Sequence, residues 1–152
     1  PEADPAALAA LVAEEARQHA APDALRRLAA LLPAQPALAE QVASRFRLSG
    51  AQKKRLALAA ARASGECEPR ALAYRLGREA ALDRLLISGV DSAALADWDI
   101  PQFPLKGGQI VARGVGAGPE VARILHAVES RWIAEGFPDE ARVSALLDAE
   151  LA

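Results

Sequence analysis

Prolines and short polar side chains recur along this sequence at the places where an α-helix starts or stops, and this punctuation constrains the fold more than any other feature. Asp4-Pro5 reads as an N-cap followed by proline at the first helical position, where a missing N–H costs nothing. Leu8, Leu11 and Val12 then give one apolar stripe, predicting a helix to about Ala20. Pro22-Asp23 starts a second helix with Leu25, Leu28 and Leu32 inward, which Pro33 stops. A third lies between Pro36 and Phe46, with Leu38 and Val42 four apart. Ser49-Gly50-Ala51-Gln52 reads as a capping box for a fourth helix that runs to about Ala63 and ends before Gly65.

Glu68-Pro69 opens what reads as the longest helix, carrying Leu72, Leu76 and Leu86 to about Ser88, with Gly89 as its C-terminal cap. A short helix over Ala93–Trp98 follows, and Pro101 and Pro104 then enforce an extended crossing where a boundary is placed. Beyond it the sequence predicts a short helix from Gly108 to Arg113, a glycine-rich turn (Gly114, Gly116, Gly118) and a helix from Pro119 to Gly136. That helix has the cleanest periodicity of the chain: Val121, Ile124, Leu125, Val128, Trp132. Asp139 caps a last helix with Val143, Leu146 and Leu147.

Composition agrees with this segmentation. Of 152 residues 38 are alanine and 21 leucine, while 13 are valine or isoleucine, 6 are aromatic and none is threonine. Alanine and leucine head the helix scale and strands want β-branched and aromatic side chains, so the reading is all-α, an array of about eight or nine helices. With 25% charged and 52% apolar residues the chain is not a disordered acidic polymer. The longest uncharged stretch, Leu28 to Ala39, contains two prolines and falls short of the roughly 20 residues that cross a bilayer, so no membrane partner is expected. Glu2 and Asp4 do not resemble a signal peptide, and the single Cys67 cannot form an internal disulfide, which fits a cytoplasmic location. A chain that starts at Pro1 and has no methionine reads as a piece of something longer.

The net charge of −2 conceals a segregation. Residues 41–65 hold Arg45, Arg47, Lys53, Lys54, Arg55 and Arg62 and no acid, whereas the segments before and after are net acidic. Surfaces normally mix both signs, so this stretch is the candidate footprint for a polyanion, held through salt-sensitive and mostly sequence-blind phosphate contacts. The competing reading is an ordinary solvated face.

Other residues look chemical without forming a pattern. His19, His126 and Cys67 have no ligand spacing, no aspartate pair suits Mg²⁺, and no phosphate-binding glycine loop occurs, so neither a metal site nor a catalytic residue is assigned. Phe46, between two arginines, reads as a core anchor in preference to a base-stacking residue, and Trp98, Trp132 and Phe137 read as packing the C-terminal part. Gly114–Ala122 resembles a helix-hairpin-helix turn, but Glu120 stands where a small residue belongs and would repel phosphate. A tight interhelical turn is the simpler reading.

Four stretches, in order, resemble the C-terminal part of bacterial CCA-adding enzymes, the tRNA nucleotidyltransferase and poly(A) polymerase family, particularly its alphaproteobacterial branch. They are Leu25-Arg26-Arg27-Leu28-Ala29-Ala30-Leu31-Leu32-Pro33; Arg47-Leu48-Ser49-Gly50-Ala51-Gln52-Lys53-Lys54-Arg55-Leu56; Tyr74-Arg75-Leu76-Gly77-Arg78-Glu79 with Asp83-Arg84-Leu85-Leu86; and Phe103-Pro104-Leu105-Lys106-Gly107 through Gly118-Pro119-Glu120-Val121 with Trp132-Ile133. The sequence departs from the family pattern at Gly50, at Ala117, and at Gly108-Gln109, where an acid that would cap a helix is lost.

The resemblance implies an elongated all-α array, a helical body over residues 1–100 and a helical tail over 101–152, holding the elbow and acceptor–T arm of tRNA by its phosphate backbone. A separate N-terminal catalytic head, absent from this sequence, would carry Mg²⁺ and CTP or ATP and perform the transfer. On this reading Arg45, Arg47, Lys53, Lys54, Arg55, Arg62 and, in the tail, Lys106 contact RNA, and the chain alone is inactive. Whether the parent adds CCA, A alone or poly(A) would be decided in the head. The alternative is a helical protein-interaction or structural module with no nucleic-acid role.

Overall fold

A computed structural model describes residues 3–63, 65 and 68–152, so Cys67 lies outside the described residues. Among these the chain is all-α: nine α-helices, two short 3₁₀ turns and no strand. The helices are α1 (Pro5–Arg17), α2 (Ala24–Leu31), α3 (Pro36–Arg45), α4 (Gly50–Ala60), α5 (Pro69–Leu76), α6 (Arg78–Ile87), α7 (Gly107–Val111), α8 (Pro119–Ala134) and α9 (Glu140–Leu151). They form two compact units, Pro1–Asp99 and Ile100–Ala152. None is long and apolar enough to cross a membrane.

The sequence's caps start the helices as their chemistry demands. The side chains of Asp4, Asp23, Ser49, Glu68 and Asp139 each accept a backbone N–H three residues on, satisfying one of the donors a helix N-terminus leaves unpaired. Gln52 closes the capping box by accepting the Ser49 N–H at 2.9 Å. The acid missing from the tail pattern is replaced in the same way: the Gln109 side-chain oxygen accepts the Lys106 N–H at 2.7 Å, so α7 keeps a cap that the sequence suggested it had lost.

Two helix ends depart most from expectation. The single long helix over 68–88 is two helices, α5 and α6, broken at Gly77 with φ +90° and ψ 159°, a conformation glycine enters without a Cβ penalty. The break re-aims α6 so that Ala81, Leu85 and Leu86 are all buried within the first unit. The first helix ends at Arg17, not Ala20, because His19 turns to φ +55° and the Ala20 N–H bonds back to the Glu15 carbonyl. Its stripe is also narrower than expected, since Leu11 is buried while Val12 is 40% exposed.

The core of the first unit is built from alanine. Ala29 of α2, Ala39 and Ala43 of α3, and Leu56, Ala59 and Ala60 of α4 form one buried cluster. Leu11, Ala30 and Leu86 join α1, α2 and α6 in a second, and Leu72, Ala73, Ala81, Leu85 and Leu95 make a third. Small side chains bring helix axes close and leave room for long polar side chains to run between them. Trp98, expected in the C-terminal part, packs against the third of these clusters, with the Arg70 guanidinium 5.3 Å from its ring centroid.

The second unit closes around Trp132, which is 2% exposed. Phe103 lies 5.1 Å away and Phe137 meets it edge-on at 4.9 Å, while its indole N–H donates to the Pro138 carbonyl at 2.9 Å. Gly107 sits where α7 approaches α8, since a Cβ there would lie 3.2 Å from the Val121 side chain.

Candidate nucleic-acid interface

The structure divides the six bases of residues 41–65 into two sets. Arg45, Arg47 and Lys54 are exposed and Lys53 is half-buried, and none of the four has a carboxylate partner among the described residues. They come from the end of α3, the α3–α4 turn and the first turn of α4, two helices packed directly on each other. Arg45 and Lys53 line one open groove and Lys53 and Lys54 another, Glu40 bordering both as the one acid. Four cations against one carboxylate leave this face clearly positive.

The turn holding them is strained. Helix α3 ends in a Schellman motif: the Leu48 N–H bonds to the Ala43 carbonyl, the Arg47 N–H to that of Ser44, and Arg47 takes φ +55° at the position where glycine is usual. Leu48 packs back onto the alanine cluster and fills the apolar slot of the motif. Phe46, one residue past the last turn of α3, is left 62% exposed between its arginines, so the expected core anchor is a surface aromatic. A non-glycine residue in this conformation costs about 1–2 kcal/mol, and glycine's greater freedom in the unfolded chain returns about half of that. Arg47→Gly is therefore expected to stabilise the first unit by about 0.5–1 kcal/mol in urea denaturation.

Arg55 belongs to a different structure. Its Nε donates to Asp83 Oδ2 at 2.7 Å and its Nη2 to Oδ1 at 2.9 Å, a bidentate fork. It also pairs with Asp23 at 3.0 Å and Glu79 at 3.5 Å. Asp83, 1% exposed, accepts in addition from Arg26 Nε at 2.9 Å. Arg26, 5% exposed, reaches Glu15 at 3.1 Å, and the Arg27 guanidinium holds the other oxygen of that carboxylate at 2.8 Å. Carboxylates from α1, α6 and the α2 cap are thus threaded on three arginines from α2 and α4. The Asp83 hydrogen bonds raise the pKa of Arg55 against the effect of its burial, with Asp23 adding to the rise. Asp23 is itself lowered: burial pushes it up, but the Arg26 N–H and the Arg55 guanidinium outweigh that. Arg55 is therefore withdrawn from the free cations, its charge neutralised inside the unit.

Arg62 is likewise not on the basic face. It is half-buried, donating to the Leu32 carbonyl at 2.8 Å and the Ala59 carbonyl at 3.3 Å, which end α2 and α4, and burial lowers its pKa. Lys106 is exposed in the second unit at the start of α7. The glycine turn before α8 has positive φ at Gly114 and Gly118, and Glu120 beside it is paired with Arg123 at 2.7 Å.

The residues the sequence reading missed, Glu15, Arg26 and Asp83, carry a visible signal. Each sits on the apolar stripe of its own helix, beside Leu11, Ala29 and Leu86 at spacings of three or four. Among the described residues no group of three His, Cys, Asp or Glu side chains is placed to hold a metal ion, and His19 and His126 are exposed. No family model, no curated protein and no solved structure matches this chain.

Proposed function

We propose that this chain is an RNA-holding module whose contact surface is the corner between α3 and α4. The observation that carries the reading is the exposed Arg45-Phe46-Arg47 turn next to Lys53 and Lys54, in a strained backbone, without partner carboxylates among the described residues. Cations supply phosphate affinity, and an exposed aromatic ring between guanidinium groups supplies a stacking platform for an unpaired base. Strain persists where the surroundings over-determine it, which is common at binding sites. Arg47→Gly should then weaken RNA binding while it stabilises the fold.

The family resemblance supports the finer form of this reading. In that form the chain is the body and tail of a tRNA nucleotidyltransferase, the RNA is tRNA, and a catalytic head elsewhere in the parent protein performs the transfer with Mg²⁺ and CTP or ATP. Lys106 would add a contact from the second unit. Arg55 leaves the set of contacts, because its donors serve the unit's own carboxylates, and Arg62 leaves the corner, because it is half-buried and reaches the Leu32 and Ala59 carbonyls instead.

The second reading, a protein-interaction module, draws support from the same pairing of Arg55 and from Phe46, since an exposed aromatic is also a common interface anchor. Phe46→Ala separates the two. On the RNA reading it lowers affinity for RNA with unpaired bases by about 1–3 kcal/mol, leaves duplex affinity unchanged, and leaves the melting temperature within about a degree. Equal loss for single-stranded and duplex RNA, or none for either, removes the stacking role.

A further inference from the structure

We infer that the first unit holds a second anion site, a one-phosphate pocket between Arg62 and Arg84, separate from the α3–α4 corner and independent of the function proposed for it. A cavity of about 50 Å³ is lined by both arginines together with Leu72, Leu85, Ser88 and Val90. That is a few times the roughly 10–15 Å³ one water needs, and suits a single small oxyanion. None of the described residues lining it is acidic.

Both guanidinium groups are committed only in part. Arg84 uses Nε on the Leu58 carbonyl at 2.8 Å, so both its Nη groups lack a protein acceptor among the described residues. Arg62 uses one hydrogen of each Nη on the Leu32 and Ala59 carbonyls, and its Nε has no acceptor among the described residues. Those carbonyls belong to helix C-termini, each worth about half an elementary negative charge, so the ends of α2 and α4 offset about one of the two positive charges. The remaining charge is uncompensated among the described residues. Burial lowers the pKa of both arginines, which is the mark of guanidinium groups short of a counter-charge. A phosphate ion, or the phosphate of a larger molecule, would supply that charge and several acceptors in fork geometry.

The test is thermal unfolding of the chain in inorganic phosphate against sodium chloride at matched ionic strength, with phosphorus NMR of the phosphate. The expected result is a melting temperature about 5 °C higher in millimolar phosphate, and a broadened phosphate signal. Equal melting temperatures in the two salts would overturn the site. Ser88→Glu, at an exposed lining position, places a tethered carboxylate at the cavity without touching either arginine and should abolish the phosphate response. Arg84→Gln, which keeps an N–H for Leu58, should do the same. If either variant keeps the full response, the anion binds elsewhere and the pocket is refuted; should Arg84→Gln fail to fold, the parent and Ser88→Glu still decide. In a variant that lacks the corner cations, RNA that competes away the phosphate response identifies the natural occupant as an RNA phosphate, and RNA that leaves the response intact identifies a free ion. Loss of RNA binding in the α3–α4 corner variants leaves the phosphate response intact, so the two sites fail separately.

Discussion

Asp83→Asn is expected to destabilise the first unit by about 3–5 kcal/mol, the usual effect of breaking a buried ion pair from one side. The carboxylate is 1% exposed and accepts from Arg26 Nε, Arg55 Nε and Arg55 Nη2 at 2.7–2.9 Å. The amide keeps the shape, but one acceptor becomes a donor aimed at a guanidinium group and the charge that holds two arginines is gone. A domain typically has about 5–15 kcal/mol in all, so this variant approaches unfolding. Each unit has one tryptophan, so the indole N–H signals of Trp98 and Trp132 report the two separately, and only the first should shift its urea midpoint. Glu79→Gln is the contrast: that side chain is 71% exposed and 3.5 Å from Arg55, and the change should cost under about 0.5 kcal/mol. Removing the charges together should do less harm than removing one. Arg26→Met/Arg55→Met/Asp83→Leu leaves Glu15 with Arg27 and should recover most of the lost stability, because no desolvated charge is stranded. A loss below about 1 kcal/mol for Asp83→Asn would mean that the alanine clusters alone hold α6.

The network also explains what the sequence could and could not reveal. Helix starts were legible because a cap is a local device: Asp4, Asp23, Ser49, Glu68 and Asp139 act on N–H groups three residues away. The break at Gly77 was not, since a glycine inside an apolar periodicity is compatible with one bent helix or two, and packing of α6 on α1 and α2 decides. Phe46 was misread because its neighbour Leu48 competes for the same apolar slot and wins through the Arg47 turn. The charge pattern misled for a related reason. Residues 41–65 hold no acid, yet Asp83 lies 28 positions from Arg55 and 57 from Arg26, and only the fold brings them together. Arg26, Arg55 and Asp83 hold the first unit together, so their charges are no part of a free basic surface. The RNA reading rests on what remains free, which is smaller than the sequence suggested.

That remainder sets the second large effect. Replacing Arg45, Arg47, Lys53 and Lys54 together by alanine should lower tRNA affinity about a thousandfold near 0.1 M salt and flatten the slope of log affinity against log salt by about 3–4, an increment of roughly 0.7–0.9 for each phosphate no longer neutralised. The fold should tolerate it, because three of the four are exposed, the fourth is half-buried and none is ion-paired among the described residues; the change in stability should stay within about 1 kcal/mol, including any gain or loss at the strained Arg47. Arg123→Ala/Arg142→Ala serves as the matched control, since those arginines are spent on Glu120, Glu150 and Glu135 in the second unit and should leave the slope alone. Arg55→Ala tests the division of the six bases from the other side. It should shift the urea midpoint of the first unit strongly and leave the salt slope near that of the parent under conditions where the protein is still folded. The opposite pattern, a flatter slope with unchanged stability, would place Arg55 on the RNA and dissolve the separation between scaffold and surface. A parent chain that shows no salt-dependent tRNA binding at low ionic strength would leave the α3–α4 corner to a protein partner, with Phe46 as its anchor and the four cations facing an acidic surface.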